Sequence, residues 1–263
     1  MTKKAAPQTD HYNKAEKAAI AAVEKALGYT FQKPARILVA LTHSSAGETA
    51  NSGHAARNLK TRLQGEDYER LEFLGDRVVN LVVADLLFRA YPDEREGDLA
   101  RRHTAFVRGE ALAKAACRLN VQSHIRLSAS EKSSGGAQNE NILADVLEAL
   151  MAALYLDGGY QQVYSAVQQV LGAAILEMEA PPIDPKTELQ EWTQARRLGI
   201  PDYKLESRTG PDHAPQFIVS VRIPEGKNRP AYIAKGAGTS KRIAEKTAAS
   251  AMMKLIQTTI ADA

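Results

Sequence analysis

The sequence predicts an all-α domain followed by a small α+β domain with the order α-β-β-β-α. Apolar residues recur three or four positions apart through residues 14–180, which is the pattern of amphipathic helices. Alternation of apolar and polar residues appears only after that, within residues 203–234. Pro181, Pro182 and Pro185 separate the two patterns. We therefore expect an N-terminal tail (1–13), a helical domain (14–180), a linker (181–185) and a second domain (186–258).

Helix boundaries in the first domain follow from glycine and proline. A first helix ends at Gly28, a long apolar helix ends before Pro92, and another stops at Gly158 and Gly159. Two polar segments, 44–67 and 128–139, interrupt the pattern. The predicted helices span residues 14–27, 37–41, 71–90, 110–119, 142–156 and 160–179.

The second domain begins with a short helical pattern at residues 187–198. Phe217, Val219, Val221 and Ile223 then alternate with other residues, as expected of a half-buried strand. Residues 203–207 and 231–234 are the flanking strands, and a final helix covers 240–256. This order gives the α-β-β-β-α arrangement.

Composition excludes several classes of protein. No apolar run approaches the roughly 20 residues that span a bilayer, so we expect no membrane association. The polar N-terminus is not a secretory signal. Cys117, the only cysteine, is interpreted as a helical core position; it permits no intrachain disulfide, which fits a reducing, cytoplasmic location.

Charge is divided unevenly along the chain. The net charge is +3, but residues 184–259 hold 13 Lys and Arg against 8 Asp and Glu, a net charge of +5. The remainder therefore carries a net charge of −2. A mildly acidic body with a basic C-terminal region indicates that this region binds a polyanion.

Two predicted helices carry carboxylates that lack compensating cations at helical spacing. Glu69, Glu72 and Asp76 stand at i, i+3 and i+7, on one helix face, with no Lys or Arg three or four positions away. Asp145 and Glu148 are the only charged residues within 142–156. Burying an ionised carboxylate without a partner is costly, so such groups are usually paired or bound to metal.

Structural ion pairs with distant basic residues remain one interpretation of this pattern, but two such helices in one domain favour a metal centre. Oxygen ligands without nearby His or a second Cys favour Mg²⁺, for which Mn²⁺ can substitute, over Zn²⁺. The carboxylates could hold one ion or two. Hard ions among carboxylates typically activate water and clamp a phosphodiester, so the residues alone predict a nuclease.

Two other polar features have simpler interpretations. Glu96, Gly97 and Asp98 form an acidic turn, and Asp93, Glu94 and Glu96 are interpreted as acids at a helix start. His43 has no partner motif and is interpreted as a structural histidine.

Cations also cluster at the start of the last predicted helix. Thr239 or Ser240 can cap it, Lys241 and Arg242 occupy its first turn, and Lys246 lies one turn further on. Cations oppose the helix dipole at this end, whereas an anion docked there would be favoured by the dipole, the free N–H groups and the cations. A solvated basic surface is the alternative interpretation.

These motifs together resemble bacterial ribonuclease III. Residues 69–76 read E-R-L-E-F-L-G-D, the signature run of that family; residues 96–98 match its E-G-D turn, and Asp145 to Glu148 its second acidic helix. Residues 186–257 resemble a double-stranded RNA-binding domain, and the resemblance covers residues 14–257. It implies an all-α endonuclease domain followed by a small α+β double-stranded RNA-binding domain.

The resemblance also implies a homodimer in which each subunit cuts one strand of double-stranded RNA. It assigns the metal site to Glu72, Asp76, Asp145 and Glu148, with Asp76 and Glu148 as the catalytic pair. The family's products carry 5′-phosphate and 3′-hydroxyl ends, and its substrates include ribosomal RNA precursors and structured messages. Glu69 and Glu96 map to accessory acidic positions, and RNA-binding positions fall on Gln190, Glu191, His213, Lys241, Arg242 and Lys246.

The segment 44–67 is longer than the family's usual connection, which leaves its role open. An RNA-binding regulator with an inactive body is the competing hypothesis. The presence of all four predicted metal-binding carboxylates argues against it.

Overall fold

The computed structural model describes residues 12–47, 66–212, 214–225 and 231–261. The chain divides into two compact units, Met1–Pro181 and Pro182–Ala263. The division falls between the first two prolines of the predicted linker.

The described part of the first unit contains α-helices and short 3₁₀ turns. Helix α1 is capped at both ends: Asn13 and Glu16 form a capping box, and Gly28 closes the helix in the left-handed conformation (φ 62°). The helices are α1 (Lys14–Leu27), α2 (Ala35–Ala40), α3 (Tyr68–Ala90), α4 (Glu96–Val107), α5 (Gly109–Arg118), α6 (Ala129–Ser133), α7 (Glu140–Gly158) and α8 (Tyr160–Glu177).

Helices α3 and α7 form the centre of this unit. Helix α7 is almost continuously apolar and is buried on most sides, and α3 packs against it more extensively than against any other described element. The two backbones approach closely at Gly75, where a Cβ atom would lie 1.8 Å from the carbonyl oxygen of Glu148. Glycine is therefore required at residue 75 by helix packing. The acidic residues near it are brought next to Glu148.

The sequence analysis predicted acids at a helix start near Glu96, which is confirmed, but it gave no range for helix α4 itself. Its core position is occupied by Arg102, which is 1% exposed and pairs with Glu94 at 2.6 Å. The Arg102 guanidinium stacks on the ring of Tyr91 and donates to the Met178 carbonyl at 2.5 Å. A buried arginine interrupts the apolar periodicity from which amphipathic helices are recognised. The interpretation of Cys117 as a core residue was wrong, because its side chain is exposed.

The second unit has the predicted order of elements. It consists of α9 (Pro185–Ala195), β1 (Asp202–Thr209), β2 (Gln216–Ile223), β3 (Tyr232–Gly238) and α10 (Lys241–Ala261). Helix α9 begins at Pro185, inside the predicted linker, with Asp184 as its cap. Proline is suited to the first helical position because the N–H that it lacks would have no helical partner there.

The strands form one antiparallel sheet in the order β1-β2-β3. Val221 of β2 pairs with Tyr203 on one side and with Ala234 on the other. Val219, Val221 and Ile223 are buried, and the last two share a core with Leu189 of α9 and Met252 of α10. Gly236 lets β3 lie directly on α10, because a Cβ there would be 2.1 Å from the Ala248 nitrogen.

Among the helices that the structure describes, none combines the length and the apolar character of a membrane span.

Candidate metal centre and nucleic-acid interface

Three of the four predicted metal-binding carboxylates lie together between α3 and α7. Glu72 projects from α3 one turn before Asp76, and Asp145 and Glu148 project from one face of α7. All three side chains are half-buried. The charge of Asp145 acts on both Glu72 and Glu148, and the charge of Glu72 acts on Glu148. The close approach at Gly75 sets this arrangement.

Burial and mutual repulsion make these groups difficult to ionise. The pKa of Glu148 is raised to about 7, first by burial and then by the charges of Asp145 and Glu72, while Arg77 opposes the shift. Burial is also the main cause of the raised pKa values of Glu72 and Asp145. The site therefore favours a bound cation, which would stabilise the charged forms of all three groups.

The donor set fits a hard divalent ion. Across residues 12–47, 66–212, 214–225 and 231–261, no hydrogen-bond donor and no cation contacts the carboxylates of Glu72, Asp145 or Glu148. Their oxygens are thus available as ligands, and oxygen ligands suit Mg²⁺ or Mn²⁺. The same described ranges contain no group of three or more His, Cys, Asp or Glu side chains already assembled in a metal-binding arrangement. Ion binding would have to draw the carboxylates together against their repulsion.

Asp76 has a different environment. Its carboxylate pairs with Arg77 and accepts a hydrogen bond of 2.8 Å from the Asn80 side-chain amide, which also donates to the Asp76 carbonyl at 2.6 Å. The absence of Lys and Arg three or four positions away therefore does not leave Asp76 unpaired, since its partner is the adjacent residue. These contacts fix the orientation of the carboxylate and leave it half-buried.

The predicted accessory residues, Glu69 and Glu96, lie apart from each other. Glu69 is exposed in the first turn of α3, and its charge contributes to the raised pKa of Glu72. Glu96 is exposed in the first turn of α4 and lines an apolar pocket of about 1000 Å³ together with Leu81 and Phe88 of α3. Glu69 therefore acts on the carboxylate cluster, whereas Glu96 belongs to the pocket.

Two further residues lie beside the cluster: His43, which was interpreted as a structural histidine, and Tyr68, for which the sequence predicted no role. The ring of His43 packs edge-on against Tyr68, with ring centroids 5.4 Å apart, and His43 in its charged form would lower the pKa of Asp145. The Tyr68 hydroxyl is buried, and the charges of Asp145, Glu72 and Glu148 all act on it. Spacing could not have joined residues 43 and 68, although Tyr68 directly precedes the signature run.

The predicted RNA-binding residues of the second unit are mostly exposed. Gln190 and Glu191 face solvent from α9, and Lys241 and Arg242 face solvent from the first turn of α10. Ser240 caps α10 by accepting a hydrogen bond from the Ile243 N–H at 3.2 Å. His213, the remaining predicted contact in the loop after β1, lies outside the described residues.

Lys246 forms an ion pair that the sequence did not predict. Its ammonium pairs with Asp184 at 2.7 Å, and Lys186 pairs with Glu245 at 2.6 Å. These two ion pairs cross between the start of α9 and α10. They hold the basic side of α10 in register with α9.

Comparison with known proteins agrees with this architecture. Residues 35–175 match the model of a ribonuclease-III-like domain, and residues 185–256 match that of a double-stranded RNA binding motif. "Ribonuclease 3" of Rhodopseudomonas palustris is 41% identical over 242 residues, which cover 92% of this chain and 83% of the relative. The chain belongs to the ribonuclease III family.

A second curated relative supports this membership of the ribonuclease III family. "Ribonuclease 3" of Azorhizobium caulinodans is 42% identical over 233 residues, covering 89% of this chain and 92% of the relative. A solved nuclease domain of ribonuclease III from Campylobacter jejuni is 31% identical, with a TM-score of 0.49, covering 62% of this chain and 99% of that one. The chain is thus an endoribonuclease of the ribonuclease III family with a double-stranded RNA-binding domain, which confirms the predicted family and fold class.

Proposed function

We propose that this ribonuclease III hydrolyses double-stranded RNA with one or two Mg²⁺ ions, or Mn²⁺ in their place, held by Glu72, Asp76, Asp145 and Glu148. The observation that carries the proposal is the set of half-buried carboxylates on α3 and α7 without donors among the described residues. A structural role would require hydrogen-bonded partners for these groups.

When bound, the ion would polarise the phosphodiester and activate a water molecule for attack. Glu148 is half-buried beside Asp145 and Glu72, and as a ligand of the ion it would be ionised and would help to position the attacking water. Asn80 and Arg77 both contact the Asp76 carboxylate and thereby fix its orientation. All four carboxylates are proposed ligands of the ion, and we assign Asp76 and Glu148 as the pair that is essential for hydrolysis. The expected products carry 5′-phosphate and 3′-hydroxyl ends.

The second unit is proposed to bind the duplex by shape. Gln190 and Glu191 would lie over one minor groove and the His213 loop over the next, and the cations of α10 would contact the phosphates between them. Lys241 and Arg242 have no ion pair among the described residues, so phosphates can pair with them directly. Lys246 would exchange its contact with Asp184 for a phosphate, or share it.

A homodimer is proposed from the apolar surface of α3. Phe73 and Phe88 are 66% and 68% exposed, and Leu81 is also exposed beside the pocket that Glu96 lines. Leu81 and Phe88 line that pocket, and exposed large apolar side chains at a pocket are typical of a protein–protein interface. Covering them with a second copy would place two acidic sites on one duplex, one for each strand.

The substrates that the family resemblance implies are ribosomal RNA precursors and structured messages. We infer that the enzyme acts on them in the cytoplasm, where such transcripts are made.

A cleavage assay tests the proposal directly. A long RNA duplex and its separate single strands are incubated with the chain in Mg²⁺, in EDTA and after Mg²⁺ is restored. We expect cleavage of the duplex alone, loss of cleavage in EDTA and full recovery. A 5′-phosphate-dependent exonuclease should then degrade the products. Intact duplex in Mg²⁺ would instead support the RNA-binding regulator.

A further inference from the structure

The Tyr68 hydroxyl is a buried polar group whose position is not explained by folding. Tyr68 is 6% exposed, and its hydroxyl oxygen has no hydrogen-bond partner among the described residues. Buried hydroxyl groups normally have a partner, because losing water without replacing its hydrogen bonds is unfavourable. A phenylalanine would fill the same space without this cost. Core packing therefore does not account for the hydroxyl, and the groups around it decide whether it has a further role.

The surroundings of this hydroxyl are acidic. Tyr68 lies one turn before Glu72 on α3, and the charges acting on its hydroxyl come from Asp145, Glu72 and Glu148, with Asp145 contributing most. Burial and these charges raise the pKa of Tyr68, so the hydroxyl keeps its proton at neutral pH. It is thus a permanent hydrogen-bond donor beside carboxylates that lack donors.

The ring of Tyr68 is held by His43, which is itself fixed on two sides. The His43 backbone N–H donates to the Arg126 carbonyl at 3.1 Å. The Ser45 backbone N–H donates to His43 Nδ1 at 3.3 Å, and Ser45 Oγ lies 3.0 Å from the same nitrogen. Because a backbone N–H can only donate, Nδ1 is the acceptor and a neutral His43 carries its proton on Nε2. Ser45 Oγ accepts from the Ser128 N–H at 3.3 Å, which completes the support.

From this geometry we propose that Tyr68, held in place by His43, is a positioning residue of the acidic centre whose hydroxyl, without a partner among the described residues, donates a hydrogen bond to Asp145 when an ion draws the carboxylates together. The inference rests on the proposed metal-binding function. Donation to one Asp145 oxygen would orient the other oxygen toward the ion and favour the ionised carboxylate. Groups behind a metal ligand commonly act in this way.

The test is Mn²⁺ binding to the full chain without RNA, measured from the electron paramagnetic resonance signal of free Mn²⁺. Tyr68→Phe removes only the hydroxyl. Tyr203→Phe is the matched control, because the Tyr203 hydroxyl is also buried without a partner but lies in the RNA-binding unit. We expect Tyr68→Phe to bind Mn²⁺ roughly 10-fold more weakly and Tyr203→Phe to match the wild type. In EDTA, Tyr68→Phe should melt at the wild-type temperature or above it.

His43→Gln is the second variant, and its Mn²⁺ affinity tests the proposal if Tyr68→Phe folds poorly. Since both residues act through Asp145, the double variant should bind Mn²⁺ no more weakly than the weaker single variant. Wild-type Mn²⁺ affinity in Tyr68→Phe, or additive losses in the double variant, would overturn the proposal while leaving the metal centre intact. Failure of the wild-type chain to bind Mn²⁺ would overturn the metal centre and this inference together.

Discussion

The acidic centre of the nuclease unit and the basic side of the RNA-binding unit differ in whether their charged side chains have partners of opposite charge. Glu72, Asp145 and Glu148 are gathered on facing helices without a cation in contact among the described residues. In the RNA-binding unit, Lys246 and Lys186 are each paired with a carboxylate across α9 and α10. The first arrangement costs stability until a ligand arrives, whereas the second stabilises the fold itself.

This contrast separates structural charges from functional ones within each unit. In the nuclease unit, Arg102 and Glu94 form a buried pair that anchors α4, and their role is complete without a ligand. In the RNA-binding unit, Lys241 and Arg242 remain exposed at the start of α10, where cations oppose the helix dipole. Charges that are unfavourable in the free protein are thus the best guide to what each unit binds.

The largest effect is expected where the backbone brings the acidic helices together. In Gly75→Ala the new Cβ would lie 1.8 Å from the Glu148 carbonyl oxygen, so α3 and α7 must separate. We expect a loss of about 3 kcal/mol in the free energy of unfolding and a strong loss of cleavage. Thermal unfolding and a cleavage assay measure the two effects.

Gly97→Ala is the control for this substitution, because its new Cβ would find no atom nearer than 3.9 Å. Alanine should be neutral or slightly stabilising there. If the two variants had the same melting temperature and cleaved RNA at the same rate, the close approach of α3 and α7 at Gly75 would not be needed to form the site.

A smaller effect is expected at the exposed cations of the RNA-binding unit. Replacing Lys241 and Arg242 by Ala removes two proposed phosphate contacts, so the slope of log affinity against log salt concentration should flatten by about 2. Binding of a labelled duplex at several salt concentrations measures the slope. Lys254→Ala, an exposed change on the same helix, should leave it unaltered. An unchanged slope in the double variant would refute the phosphate role.

The smallest effect concerns stability against pH in the absence of metal. The pKa of Glu148 is raised from 4.5 to about 7 in the folded chain, so its protonated form stabilises the fold below pH 4.5 and this contribution disappears as the pH rises through 7. Glu148→Gln cannot ionise, so in EDTA at pH 8 it should melt about 1–3 °C above the wild type. This difference in melting temperature should disappear at pH 4.5. If Glu148→Gln melted below the wild type at pH 8, the ionised Glu148 side chain would not be destabilising the folded chain.

Patterns within one helix were sufficient to predict much of this site. The acidic spacings on α3 and α7 and the apolar character of α7 are local, and so is the alternation in β2. The range of helix α4 was missed because Arg102 is buried by partners such as Met178, 76 residues further along the chain. The pairing of Asp76 with Arg77 was missed because neighbours in a helix do not normally face each other.

The contact of His43 with Tyr68 also depends on the fold, because no spacing rule links residues so far apart in sequence. The polar segment 128–139 proved to contain α6, and Pro185 begins a helix where a linker was expected. In each case tertiary contacts or a cap at a single residue overrode the local pattern.

The proposed function divides the work between the two units: the acidic centre hydrolyses RNA, with Glu148 as an essential carboxylate, while the basic unit binds it. The most direct measurement compares Glu148→Gln with the wild type in one Mg²⁺ reaction, in which anisotropy of a labelled duplex reports binding and a gel reports cleavage. We predict wild-type duplex affinity within about twofold and cleavage slowed by at least roughly 1000-fold. Cleavage at the wild-type rate by this variant would contradict the account.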